Sequence, residues 1–157
     1  MGRKRTIFAL GSALLLLAAS DVAPLKTGLW EVTNTPGVAK LDGRALNDLP
    51  LFEIVSQQLC LTPAEAANPA RFLAGDLAGE CELGAVAVTD GRLSLSGVCP
   101  SPDGREPGSV VLTGALERER YSLAFETVTF GENGKMSFSG KLSGRRIGEC
   151  PEGGAAS

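Results

Sequence analysis

Four cysteines, Cys60, Cys81, Cys99 and Cys150, are the residues of this 157-residue chain best equipped for chemistry. A cysteine can act as nucleophile, redox partner, metal ligand or half of a disulfide. Thiol redox work calls for a low-pKa C-x-x-C pair, and none of the spacings provides one. The chain contains no histidine. That removes Ser-His and Cys-His nucleophile systems and the usual general base near neutral pH. It also removes histidine metal sites, and the cysteine spacings do not suit an all-cysteine zinc site. No metal and no cofactor is expected: no phosphate-binding glycine loop, G-x-S-x-G elbow or EF-hand spacing is present.

Carboxylate pairs are the remaining route to acid–base catalysis. Glu80 with Glu82 and Glu117 with Glu119 are spaced i, i+2 at strand ends or turns, where solvated edges are expected. Glu126 stands mid-strand on the face of Val128 and Phe130 and is the most interesting of the set. Few aromatics are available to stack sugars, since aromatic residues make up 5% of the chain. No catalytic residue is assigned, and a non-enzymatic protein is the expectation.

The stretch Cys81–Cys99, CELGAVAVTDGRLSLSGVC, reads as a hairpin of two alternating runs about Asp90-Gly91. A three-residue loop Thr89-Asp90-Gly91, with Gly91 left-handed, pairs Val88 with Arg92. Counting outward sets Ala87 against Leu93, Ala85 against Leu95, Leu83 against Gly97 and Cys81 against Cys99, all on one face. The cysteines then stand directly across a strand pair, within disulfide reach. A two-residue Asp-Gly turn shifts the register by one and is expected to separate them. If Cys81 pairs with Cys99, Cys60 pairs with Cys150. Four cysteines allow three connectivities, and the register argument favours this one.

These cysteines need an oxidising compartment. The N-terminus supplies the matching signal: a basic MGRKR, an apolar TIFALGSALLLL and a small-residue end, the pattern of a secretory signal peptide over residues 1–20. The apolar run is too short for a comfortable membrane span. Nothing later is apolar enough, so no stable span is expected after cleavage. Removing 20 residues leaves 137, the length of one domain, over residues 21–150 with a flexible tail at 151–157. Arg3, Lys4 and Arg5 leave with the signal, so 12 basic residues face 18 acidic ones, a net charge of −6. An acidic surface without a basic cluster excludes nucleic acid as the expected partner.

Short strands separated by turns fill most of the domain. Gly28–Thr33 reads as the first strand, with Trp30 and Val32 on one face. Asn34–Pro50, containing Pro36-Gly37 and Asp42-Gly43, reads mostly as loop, with room for a short strand or hairpin over Val38–Leu41. Leu51–Cys60 fits a strand better than a helix, because the helix start comes after it. Thr62-Pro63-Ala64-Glu65 is that start, a capping box with proline at the first helical position. Pro69 shortens or breaks the helix and Gly75 ends it. Beyond the hairpin, Ser109–Leu116, Tyr121–Phe130 and an alternating run from Lys135 to Leu142 read as further strands. The fold class is mostly β: an antiparallel, strongly curved sheet or small β-barrel with one short helix and two disulfides.

Gly28-Leu29-Trp30-Glu31-Val32, Cys60-Leu61-Thr62-Pro63, then Cys81, Cys99 and the closing Gly144-Arg145-Arg146-Ile147-Gly148-Glu149-Cys150-Pro151 resemble, as an ordered set, the secreted bacterial family called domain of unknown function 3617. The resemblance covers nearly the whole mature chain. It implies an exported, periplasmic protein of Gram-negative bacteria and implies no activity. The segment Asn34–Leu59 is longer and less regular than that pattern. Gly28-x-Trp30 with a late arginine, Arg145 or Arg146, is also similar to the lipocalin motif. That likeness implies a guanidinium stacked on the indole, worth about 0.5–2 kcal/mol; the plainer expectation is an ordinary core tryptophan.

Binding of a small apolar ligand in a barrel mouth is the leading functional expectation. Phe125, Phe130, Met136, Phe138 and Leu142 could line it. Phe125 and Phe130 fall on opposite faces of a regular strand, so only one can point inward. Trp30, Phe125, Phe138 and Arg145 are the candidate ligand-binding residues. The opposing expectation is a structural or interaction module that touches another protein of the cell envelope, without a ligand.

Overall fold

The computed structural model describes residues 25–47, 53–101 and 104–152. The expected signal peptide, residues 21–24, Leu51 and Phe52 of the expected strand and most of the expected tail lie outside them. Nine strands and two short helices are described: β1 Gly28–Leu41, β2 Arg44–Ala45, β3 Val55–Leu61, α1 Pro63–Ala67, α2 Ala70–Ala74, β4 Glu82–Leu83, β5 Ala87–Thr89, β6 Arg92–Cys99, β7 Gly108–Leu116, β8 Arg120–Gly131 and β9 Gly134–Gly148. A 3-10 turn, Gly75–Leu77, follows α2. All pairings are antiparallel, in the order β2-β1-β9-β8-β7-β6-β4. β3 adds to the free side of β1 and β5 to β6. The sheet curls without closing, which decides between the two expected forms in favour of the open one.

Period-two alternation selects the buried face. Leu93 and Leu95 of β6, Val110 and Leu112 of β7, and Tyr121, Leu123 and Phe125 of β8 all point into one core. Trp30, wholly buried on β1, lies at its centre. Its indole stacks on Tyr121 at 5.8 Å and meets the edge of Phe72 at 5.9 Å. Ala70, Phe72, Leu73 and Ala74 of α2 cover this face. The helices form where the capping signals require. The Thr62 hydroxyl accepts from the Glu65 N–H, and the Glu65 carboxylate accepts from the Thr62 N–H at 2.9 Å. Pro69 separates α1 from α2, so of the two expected outcomes, a shortened or a broken helix, the structure has the break.

Two local readings need correction. β1 does not stop at Thr33 but runs on to Leu41, into the first part of the segment read as loop and through the short strand allowed over Val38–Leu41. Pro36 is tolerated because, among the described residues, β1 has a strand on only one side there, between the end of its pairing with β3 and the start of β2. A register shift between Pro36 and Ala39 absorbs the irregularity. Asp42-Gly43, both at positive φ, then makes a two-residue hairpin turn into β2.

The second correction concerns the 81–99 hairpin. Its turn is the two-residue Asp90-Gly91, at φ 51° and 71°, and it pairs Thr89 with Arg92 and Val88 with Leu93. Val86 and Val88 therefore pack against the core, while Ala85 and Ala87 are exposed. The larger apolar side chains win the buried face, which sets the register. Further out, Leu83 nevertheless pairs with Gly97 and Glu82 with Val98. One extra residue within Gly84–Val86 makes up the difference, and the Gly84 N–H holds the Ser96 carbonyl at 2.8 Å. Turn type and cysteine pairing are thus independent.

Cys81 and Cys99 are bonded, with Cα atoms 4.0 Å apart, as are Cys60 and Cys150, with Cα atoms 5.5 Å apart. The second bridge ties β3 to the end of β9 across β1, their common neighbour. On the chain-entropy model the two stabilise by about 3 kcal/mol and about 4–5 kcal/mol respectively. A non-reducing peptide map should recover these two pairs and no other. Urea unfolding should show Cys60→Ala/Cys150→Ala losing more stability than Cys81→Ala/Cys99→Ala; the reverse order would contradict the nested-loop reading.

Candidate functional site

Among the described residues, none covers the core face of the sheet along its whole length. α2 and the 3-10 turn pack over Val32 of β1 and Leu142 of β9, leaving a small cavity of about 130 Å³ beside Asn34 and Val55. Past them the same face continues as an open trough of about 390 Å³. β1 contributes Asn34, Pro36 and Ala39 to it, and β9 contributes Met136 and Phe138. Thr127 and Thr129 of β8 form the far wall, and Val55 of β3 with Glu53 before it forms the rim. Alternation places these side chains together: Ala39 pairs with Phe138, Phe138 with Thr127, and Met136 with Thr129.

The lining is apolar and partly wet. Met136 is 43% exposed and Val55 55% exposed, unusual values for residues beside a hydrophobic core. Phe138 packs against the core cluster, its ring 5.7 Å from that of Phe125. The Thr127 hydroxyl lies 3.4 Å from the Phe138 carbonyl. The Asn34 side-chain oxygen is shut off from solvent and lacks a hydrogen-bond partner among the described residues. Glu53 is the only charged residue among the described lining residues.

The expected ligand-binding residues divide. Phe138 lines the trough and Phe125 supports it from the core, while Phe130 on the opposite parity is half-buried. Trp30 lies in the closed part of the core, away from the lining. Its Nε1–H donates to the Lys26 carbonyl at 3.0 Å. Arg145 is on the outer face, where its Nε donates to Glu31 at 2.7 Å. Arg146 pairs opposite Trp30 in β9; its guanidinium donates to the Thr27 carbonyl at 2.7 Å and to the Glu149 carboxylate. Asn34, Ala39, Val55, Thr127 and Thr129 escaped the sequence reading. Continuing the Trp30, Val32 alternation by one step reaches Asn34, and continuing from Phe125 reaches both threonines.

Glu117 pairs with Arg120 and Glu119 with Lys26, each at 2.7 Å, while Glu80 and Glu82 are exposed. The Lys26 ammonium, bonded to Glu119, holds that carboxyl below its ordinary range. Glu126 stands over a second, more open depression on the outer face, beside Ala124, Ser139 and Lys141. No other carboxylate is among the described residues lining that depression. No group of ligating side chains suited to a metal occurs among the described residues, nor any helix long and apolar enough to cross a membrane.

This set of bridged strands, capped helix and closing Arg-Arg-x-Gly-x-Cys is matched from residue 25 to residue 150 by the family model for a protein of unknown function, DUF3617. The chain belongs to that family. No curated protein and no solved structure matches it. The DUF3617 match begins at Leu25, which is itself buried in the core, and ends on Cys150 of the longer disulfide.

Tyr121 offers a direct probe of this core. It is the sole tyrosine, its hydroxyl is buried without a partner, and burial pushes its pKa well above the ordinary value near 10. The folded state therefore holds the proton after the unfolded chain has lost it. That contribution to stability is complete below pH of about 10 and is lost as pH rises towards the folded pKa. Tyrosinate absorbance of the folded protein should appear only well above pH of about 10, and Tyr121→Phe should keep or raise stability by about 1 kcal/mol. Ordinary titration near 10 would place the hydroxyl in solvent instead.

Proposed function

We propose that this DUF3617 protein is an exported, non-enzymatic domain of the cell envelope that binds a small apolar molecule in the trough between β1, β3, β8 and β9. The observation that carries the reading is the trough itself. A volume of about 390 Å³ falls within the usual range for small-molecule sites, about 300–1,000 Å³. Apolar side chains beside a well-packed core lose stabilisation when left in water, at about 25 cal/mol per Å². A ligand recovers that burial. The basic and apolar N-terminus and the two disulfides support export to the periplasm. The absence of histidine, with the carboxylates dispersed in surface ion pairs, supports a binding role over catalysis.

One observation favours an interaction module instead. β3 pairs with β1 alone, and Val55, Ser56, Gln57 and Gln58 on it are exposed and uncharged, an edge that another strand could extend. In-cell crosslinking to one dominant envelope protein would support that reading, whereas the ligand reading predicts a co-purified small molecule.

N-phenyl-1-naphthylamine should gain fluorescence on the purified protein and lose it with Phe138→Asp, while the far-ultraviolet spectrum stays unchanged. Native mass spectrometry of protein taken from the periplasm should show an added mass removable by solvent extraction. A protein that neither enhances the probe nor carries any mass would refute the ligand reading.

A further inference from the structure

The trough's polar atoms are few and unevenly placed, and they narrow the ligand class. Resting on the binding role proposed above, we propose that the occupant is an aliphatic molecule whose polar end is an uncharged hydroxyl, seated at Asn34, rather than a fatty-acid carboxylate.

Three observations support this. First, none of the described lining residues is a lysine or arginine, and the one charge among them is the Glu53 carboxylate at the rim. A fatty-acid anion would enter without a counter-charge and beside a like charge, and both raise its free energy. Second, Asn34 lines both the trough and the small cavity behind it, at the inner end of the apolar surface. Its side-chain oxygen has no donor among the described residues, and it is closed to solvent. An orphaned buried acceptor of this kind carries a desolvation penalty, and a donor from the ligand removes it. As it stands the oxygen is closed to the trough; the terminal amide torsion is soft, so it meets a ligand hydroxyl when the carboxamide turns to the surface that the residue already lines and the aliphatic chain excludes water there. Third, the Glu53 carboxylate stands at the rim while Asn34 is at the inner end, so an ammonium donating to Asn34 would be buried away from that counter-charge, and a buried cation costs more than a buried hydroxyl. Met136, Phe138, Val55 and Ala39 then bury the aliphatic chain.

The register explains why the acceptor is there. Asn34 is the last residue of β1 to pair with β3, opposite Val55, and it pairs with Leu142 on its other side. A leucine or valine at position 34 would extend the core, and an asparagine interrupts it where the helical cover ends.

The test is competition for bound N-phenyl-1-naphthylamine by 1-decanol, by decyl methyl ether and by decanoate at pH 8. The ether carries a methyl group in place of the donor proton and is the more hydrophobic of the two, so an alcohol preference cannot come from hydrophobicity. On the native protein, decanol should displace the probe at a concentration about tenfold lower than the ether. In Asn34→Leu the two should converge, with probe binding retained. Decanoate should compete weakly on the native protein and gain at least tenfold in Glu53→Lys. Equal competition by alcohol and ether on the native protein would overturn the proposal, without needing any variant to fold. So would an alcohol preference that survives Asn34→Leu, or decanoate competing as well as decanol. Failure of the probe to bind to protein that also carries no co-purified mass would overturn the binding role itself, and this proposal with it.

Discussion

The burial of Trp30 is the constraint on which the structure depends. The indole stands on β1, stacks on Tyr121 of β8 and abuts Phe72 of α2, so one side chain joins the sheet to its helical cover. Its N–H cannot be left unpaired in such a place, and the Lys26 carbonyl accepts it. That bond draws in the segment before β1. Lys26 donates its own N–H to the Arg118 carbonyl and its ammonium to Glu119, both in the β7–β8 turn. Arg146 closes the same end through the Thr27 carbonyl and the Glu149 carboxylate. The open sheet is thus fastened at this end by the needs of one aromatic residue and its neighbours.

Glycine makes room for these rings. At Gly144 an added Cβ would lie 2.3 Å from the Tyr121 ring, and at Gly140 it would lie 2.6 Å from the Phe125 ring. Both glycines are on β9, opposite those aromatics in β8. Large residues on one strand therefore lie across missing side chains on the next. The same economy leaves the other end of the sheet different. There Phe138 and Met136 replace glycine on β9, Thr127 and Thr129 replace larger residues on β8, and no described helix packs above them. One end of the core is filled and fastened, and the other is a trough.

The disulfides serve the same division. Cys60–Cys150 lies at the fastened end, bridging β3 to the segment after β9 on either side of Leu29. Cys81–Cys99 secures β4, a two-residue strand at the far edge that its few backbone bonds would hold poorly alone. Neither bridge lies among the residues lining the trough. The cysteines that look most chemical in the sequence are scaffold, and the side chains around the trough are chemically plain.

Local rules were enough for much of this protein. Alternation identified β6, β7, β8 and the run 135–142, the capping box placed α1, and Pro69 marked its break, because each depends on residues within one or two turns of chain. The cysteine count indicated a bridged domain for a similarly local reason. The sequence could not settle whether Pro36-Gly37 ends β1, since a proline is harmless wherever a neighbouring strand happens to be missing, and that depends on where β3 stops. Nor could it settle the 81–99 register. The turn favours one pairing and the cysteines another, and only packing of Val86 and Val88 against the core shows that both are met through an extra residue at Gly84–Val86. The trough was equally out of reach. Phe138 and Phe125 were visible as aromatics, but which residues stay covered depends on how far a short helix extends over a curled sheet, a property of no single segment.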